Sequence, residues 1–144
     1  MMTVYASAAA RQYQQIDTES TIENASPHRL IQMMMERALT KIGLARAHME
    51  RNEVADKGSN ISDAIGLISG LQASLNHKAD ARMSENFDAL YTYMMRRLLE
   101  ANLRDDPSIL AEVTSLLREL KEAWDAIADQ VVLLAAEESR LVEG

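Results

Sequence analysis

The chain has 144 residues, a formal charge of −7, 26% charged residues and no Cys. That length buries enough surface to hold one domain together without cross-links, and the absence of Cys removes disulfides, cysteine–zinc and iron–sulfur sites and thiol nucleophiles. The acidic balance argues against a general nucleic-acid binder, which needs clustered positive charge, and 5 Gly with 2 Pro are too few for the turns of a β-sandwich or barrel.

Residues 1–26 show no sustained apolar period and read as a mobile arm, with a short helix around 8–15. Tyr5, Tyr13, Ile16 and Ile22 are its larger apolar residues, free to dock back onto the body or to stay in solvent. The segment lacks the basic start and strong apolar core of a secretory signal. No stretch approaches the roughly 18–20 apolar residues of a membrane span, so the expected location is the cytoplasm.

Ser26-Pro27 marks a helix start, because Ser caps free N–H groups and Pro suits the first helical position. From there to about 52, Leu30, Ile31, Met34, Met35, Ala38, Leu39, Ile42, Ala45 and Met49 recur at steps of three and four, the period of an amphipathic helix. A second helix over about 54–76 carries Ile61, Ala64, Ile65, Ile68, Leu71 and Leu75, with Leu67 beside that stripe. Gly66 and Gly70 share one of its faces, open either to a close neighbour or simply rescued by packing.

Asp80 is the expected cap of a third helix, about 81–102, whose inner stripe is read as Met83, Phe87, Leu90, Met94 and Leu98. Tyr91, Met95 and Leu99 form a second stripe one residue round. Asp106-Pro107 repeats the cap-and-proline device. The fourth helix runs from 107 to about 137 on Ile109, Val113, Leu116, Leu120, Ala123, Ile127 and Val131, long enough for its end to project. Residues 138–144 are polar enough to fray. Short connections make the four helices antiparallel neighbours, so the fold class is all-α: an antiparallel four-helix bundle over 27–137, with a mobile N-terminal arm.

No catalytic constellation emerges. Neither Glu-x-x-His nor His-Glu-x-x-His occurs, so a bundle-type di-iron or zinc site has no basis. No histidine stands beside a Ser, Thr or Tyr as a base, and there is no glycine-rich phosphate loop. The expectation is a protein that is not an enzyme and needs no cofactor or metal. Arg96, Arg97 and Arg104 read as an ion-paired face near a helix C-terminus. Nine methionines suit surfaces that accommodate irregular apolar partners. Three of them, Met33-Met34-Met35, diverge by about 100° each on a helix, so some lie at the rim.

Several motifs in order carry a resemblance. They are Tyr13-Gln14-Gln15; Ser26-Pro27-His28-x-Leu30-Ile31; Leu75-Asn76; Leu90-Tyr91-x-Tyr93-Met94-x-Arg96-Arg97-Leu98-x-x-Ala101-Asn102; Glu112-Val113; Leu116-Leu117-x-Glu119-Leu120; and Ala123-Trp124. As a set, over about 11–127, they resemble the flagellar export chaperone FliS family. Thr92 stands where an acidic residue is usual between the two tyrosines.

The resemblance implies a cytoplasmic chaperone that binds the disordered C-terminal segment of flagellin, prevents premature polymerisation and delivers it to the type III export apparatus. It also implies that the N-terminal part around Tyr13 covers an apolar patch when flagellin is absent. The expected partner-binding residues are Tyr13 and Ile16 from the arm, Ile65, Ile68, Leu71, Leu75 and Asn76 from the second helix and its end, and Tyr91, Met95 and Asn102 from the third. Further expected partners are the flagellar export gate and other export-related regulators, with no nucleic acid and no membrane insertion. The oligomeric state is read as monomer or weak dimer. The alternatives are a chaperone or regulator for another flagellar export client, a bundle enzyme or cofactor carrier, and a structural oligomer built by the long fourth helix.

Overall fold

The computed structural model describes residues 26–75 and 81–143. Residues 1–25, 76–80 and 144, and the side chains of 81, 83 and 128–143, are outside that description. The expected arm, Tyr13, Ile16, Asn76 and the Asp80 cap therefore lie outside the described residues.

Four helices account for the described chain: α1 (Pro27–Glu50), α2 (Val54–Ala73), α3 (Ala81–Arg104) and α4 (Pro107–Glu143). Each packs on the next and α4 returns to α1, closing a ring in which the backbones of diagonal helices stay apart among the described residues. Cross-helix pairs fix the antiparallel sense. Lys57 near the start of α2 reaches Asn102 near the end of α3, while Gln72 near the end of α2 reaches Thr92 further back. The expected antiparallel four-helix bundle is present.

The helix ends follow local chemistry. The Ser26 hydroxyl accepts from the Arg29 N–H at 3.1 Å, and Pro27 opens α1. Asp106 repeats this for α4, accepting from the Ser108 N–H at 2.9 Å. α1 stops at Glu50 because Asn52 takes a left-handed φ of 58° and the Glu53 N–H turns back to the His48 carbonyl at 2.9 Å. This is a Schellman stop built on Asn. Asp105, with φ 51°, closes α3 in the same way, the Asp106 N–H reaching the Ala101 carbonyl. α4 continues to Glu143, past the expected end near 137. Ala135-Ala136-Glu137-Glu138 are strong helix formers, and no Gly or Pro intervenes before Gly144.

The core is Met34, Met35, Ala38, Ile42, Ala45 and Met49 of α1, Ile61 to Leu71 of α2, Tyr91, Met94, Leu98 and Ala101 of α3, and Ile109, Leu110, Val113, Leu117 and Leu120 of α4. On α4 the inner line passes through Leu117, and Leu116, expected in the core, is half-buried beside it. α1 and α2 approach closely enough that a Cβ at Gly70 would lie 2.7 Å from Cε of Met34. Gly70 thus makes room for a core methionine of its neighbour.

Candidate functional site

The expected site residues divide by burial. Ile65, Ile68, Leu71 and Tyr91 belong to the core, each almost wholly shielded. These four expected partner-binding residues therefore lie beneath the surface of the described bundle. The α2 stripe turns inward, and Tyr91 falls on the inner line Tyr91–Met94–Leu98–Ala101, whose steps of three and four follow the helical repeat. Residues expected inside α3, Phe87 and Leu90, are instead half-buried on its flank. Burial pushes the Tyr91 phenol up to about 12, as desolvation does to any group that would ionise to an anion. Phe87 stacks beside it with ring centroids 6.5 Å apart.

α2 is unusual within this ring. Its six consecutive residues Asp63 to Ile68 are all buried, a run that passes through more than one full turn. A surface helix has a solvent face; this stretch has none. It holds a charge as well: Lys41 of α1 pairs with Asp63 at 3.2 Å.

The accessible members are Leu75, Met95 and Asn102, all half-buried. Met95 and Asn102 lie on α3 with Leu99 and Leu103. Met95, Leu99 and Leu103 are four residues apart, hence on one face, and Leu103 is 83% exposed. Thr92 lies on the same side by the 3–4 count. It accepts from Gln72 Nε2 at 2.8 Å, and the same amide donates to the Asp88 carbonyl at 3.2 Å. At the other end, Lys57, only 4% exposed, donates to the Asn102 carbonyl at 3.1 Å and to the Asp105 carboxylate. The α2–α3 seam is therefore tied by polar contacts at both ends, with Met95 and Leu99 between them. Leu103 and the largely exposed Val54 stand at the lower tie.

The opposite side of α3 is fastened to α4. Tyr93 Oη donates to Glu112 at 3.0 Å and Arg97 Nε donates to the same oxygen at 2.8 Å. Arg97 also pairs with Glu100, and the Arg96 guanidinium lies 5.5 Å from the Tyr93 ring centroid. The Arg97 and Tyr93 hydrogen bonds hold the Glu112 carboxyl below its ordinary value, while the bond to Glu112 raises the Tyr93 phenol. This is the ion-paired face read from the sequence.

At the α1–α2 corner, ligand atoms of His48, Glu53 and Asp56 come within 4.8 Å of one another. The Arg51 side chain already donates to Glu53 and lies beside His48 Nδ1. That bond, ahead of the one to His48, holds the Glu53 carboxyl low. The guanidinium thus already meets two of the three groups, and the cluster reads as an ion-pair network. No described helix is long and apolar enough to cross a membrane.

A family model described as the flagellar protein FliS matches residues 9–131. The chain belongs to the FliS family. It is 44% identical over 125 residues to the flagellar secretion chaperone FliSB of Pseudomonas aeruginosa, covering 87% of this chain and 99% of that one. It is 39% identical over 126 residues to the flagellar secretion chaperone FliS of Salmonella typhimurium, covering 87% and 93%. The Escherichia coli chaperone of the same name is 38% identical over 122 residues, covering 84% and 90%. The FliS family is one of flagellar secretion chaperones, not of enzymes, and this chain is a flagellar export chaperone. Within this FliS-family bundle, Leu99, Leu103 and Val54 are accessible apolar residues that the expected site omitted. The four-residue spacing of Met95, Leu99 and Leu103 is the available signal, but a third helix expected to end near 102 leaves Leu103 out.

Proposed function

We propose that this flagellar export chaperone holds the disordered C-terminal region of flagellin in the cytoplasm, prevents its premature polymerisation and delivers it to the flagellar type III export apparatus. Membership of the FliS family over most of the chain carries the reading. A disordered client loses ordering entropy when it binds, so a long apolar contact with few precisely placed polar groups is the physical solution. The α2–α3 seam with Met95, Leu99 and Leu103 supports that solution. The seam has accessible apolar length, adaptable methionine, and backbone-binding capacity in the Asn102 amide.

In this proposal the client meets Met95, Asn102 and Leu75 first. Ile65, Ile68, Leu71 and Tyr91 support the surface from beneath and contact client only where the seam opens. Tyr13, Ile16 and Asn76 join it from segments outside the described residues. The export gate then receives the loaded complex.

Calorimetric titration with a peptide of the flagellin C-terminal region tests this. One-to-one binding with a negative heat-capacity change is the expected result. Absence of binding by a folded chain would transfer the function to another flagellar export client.

A further inference from the structure

Gln72 and Thr92 meet across the α2–α3 seam, and each keeps a hydrogen-bonding group to spare. Gln72 Nε2 donates to the Asp88 carbonyl at 3.2 Å and to Thr92 Oγ1 at 2.8 Å, which uses both of its hydrogens. A carbonyl only accepts, so the Asp88 carbonyl fixes which branch of the amide is the nitrogen. The other branch, Oε1, receives no donor among the described residues. No described buried side-chain N or O lacks a partner. This unpartnered oxygen of a half-buried residue therefore lies where solvent reaches it.

Thr92 bonds differently from the other described threonines. The Thr40 and Thr114 hydroxyls each donate to the carbonyl four residues back, Glu36 at 3.1 Å and Leu110 at 2.9 Å, a common outlet for a hydroxyl inside a helix. The corresponding carbonyl for Thr92, that of Asp88, is met by Gln72 instead. Thr92 spends its oxygen as an acceptor, and its O–H remains a donor on an exposed residue. Apolar neighbours stand on either side. Leu75 stays one turn past Gln72, its N–H on the Gln72 carbonyl at 3.3 Å. Met95 lies three residues past Thr92, on the same side of α3. The pair is thus one acceptor and one donor set side by side in an apolar seam.

We propose that Gln72 and Thr92 bind the main chain of the client and set its register along the α2–α3 seam. Gln72 Oε1 accepts a client N–H, and the Thr92 hydroxyl donates to a client carbonyl. One acceptor beside one donor matches an extended peptide, whose every non-proline residue carries one N–H and one C=O. Apolar contact with Leu75, Met95 and Leu99 is non-directional, so it supplies affinity without choosing which client residue sits where. A hydrogen bond has a narrow range of distance and angle and makes that choice. The assignment rests on the flagellin reading above and adds two residues that the expected site omitted.

Calorimetric titration with the flagellin C-terminal peptide, made as a set in which each member carries one N-methylated backbone nitrogen, reads the register. In the native chain one position should lose about tenfold in affinity, on the order of one hydrogen bond. In Gln72→Leu, which has no acceptor, methylation at that position should cost nothing further. If Gln72 were only a tie between helices, Gln72→Leu would weaken every peptide alike and leave that position as sensitive as before. That result, or a native chain in which no single position stands out, would overturn the proposal. Thr92, on the other helix, is tested independently of any effect of Gln72→Leu on folding. Thr92→Ser should bind the unmodified peptide as the native chain does, and Thr92→Val less tightly by a similar factor. Equal binding by Thr92→Val would overturn its part. A folded native chain that binds no unmodified peptide would remove the flagellin reading itself, and this assignment with it.

Discussion

His28 and Trp124 hold each other by three contacts at once. Their rings stack with centroids 4.2 Å apart and planes 7° from parallel. His28 Nε2 lies 2.9 Å from the Trp124 carbonyl, and Trp124 Nε1 donates to the His28 carbonyl at 3.0 Å. Gln32 adds a bond from α1 to Asp125 at 2.7 Å, and Lys121 donates to that same side chain, which holds the Asp125 carboxyl below its ordinary value, Lys121 first among the causes. The clasp fixes the first turn of α1 against α4, at the end of the described core.

Trp124 is the chain's only Trp, so its fluorescence reports this clasp without interference. His28→Ala removes the stack and leaves the Trp124 carbonyl without that partner. Loss of one partly buried hydrogen bond and an aromatic contact predicts a destabilisation of about 1–3 kcal/mol. Denaturant unfolding followed by the Trp signal measures it, and the native emission should itself change as the stacked ring leaves. An unchanged spectrum would mean that the two rings are not stacked in solution.

The bundle and its surface should separate cleanly under mutation. Leu98 is fully buried and Leu103 is not, though both are leucines of α3. Leu98→Ala should cost about 2–5 kcal/mol, the range for buried leucines whose cavities collapse incompletely. Leu103→Ala should leave the melting curve nearly unchanged, because little of its surface was removed from water on folding. If the α2–α3 seam receives the client, Leu103→Ala lowers flagellin-peptide affinity while Leu98→Ala lowers stability. The same loss of stability in both would show that Leu103 is covered in solution.

Much of the fold was legible because its signals are local. Ser26-Pro27 and Asp106-Pro107 start helices through short-range capping chemistry, and the α1 stripe from Met34 to Met49 is the one that is buried. The candidate site was less legible because apolar content gives no direction. α3 has two apolar lines one residue apart, and only the packing of α2 and α4 decides that Tyr91 turns inward while Phe87 and Leu90 flank. The same holds for Leu116 and Leu117. α2 offered no contrast at all, since Asp63 to Ile68 are buried through a whole turn, charge included. Clasps such as His28–Trp124 and Lys57–Asp105 join residues far apart in sequence, with no repeat to announce them.

Acid should loosen the α3–α4 side of the bundle. Glu112 has its carboxyl lowered from the ordinary 4.5 chiefly by Arg97, with Tyr93 next. A carboxyl lower in the folded than in the unfolded state contributes stability that is full above the unfolded value and fades as pH falls through the folded one. Stability should therefore be level above the ordinary carboxylate range and decline below 4.5. The effect is small per group, because this network is solvent-screened. Glu112→Gln should make the decline shallower and leave Arg97 paired with Glu100. An acid profile identical in the variant would remove Glu112 from the explanation.

At the lower end of the bundle, two opposing effects meet at Asp105. Its φ of 51° is a backbone state that glycine adopts without strain and that Asp tolerates at some cost. Judged by backbone alone, Asp105→Gly should be neutral or mildly stabilising. Its carboxylate, however, is the charged partner of Lys57, which is 4% exposed. Removing it leaves a buried ammonium with the Asn102 carbonyl, and a buried charge that loses its partner costs far more than one φ angle recovers. Asp105→Gly should therefore destabilise. Asp105→Asn, which keeps left-handed tolerance and an acceptor oxygen but no charge, should fall between it and the native chain. Lys57→Met combined with Asp105→Gly should recover most of the loss, because no buried charge then remains. A double-mutant cycle by urea denaturation measures all three. If Asp105→Gly alone proved stabilising, the ammonium would be reaching water in solution, and the lower tie of the α2–α3 seam would be open.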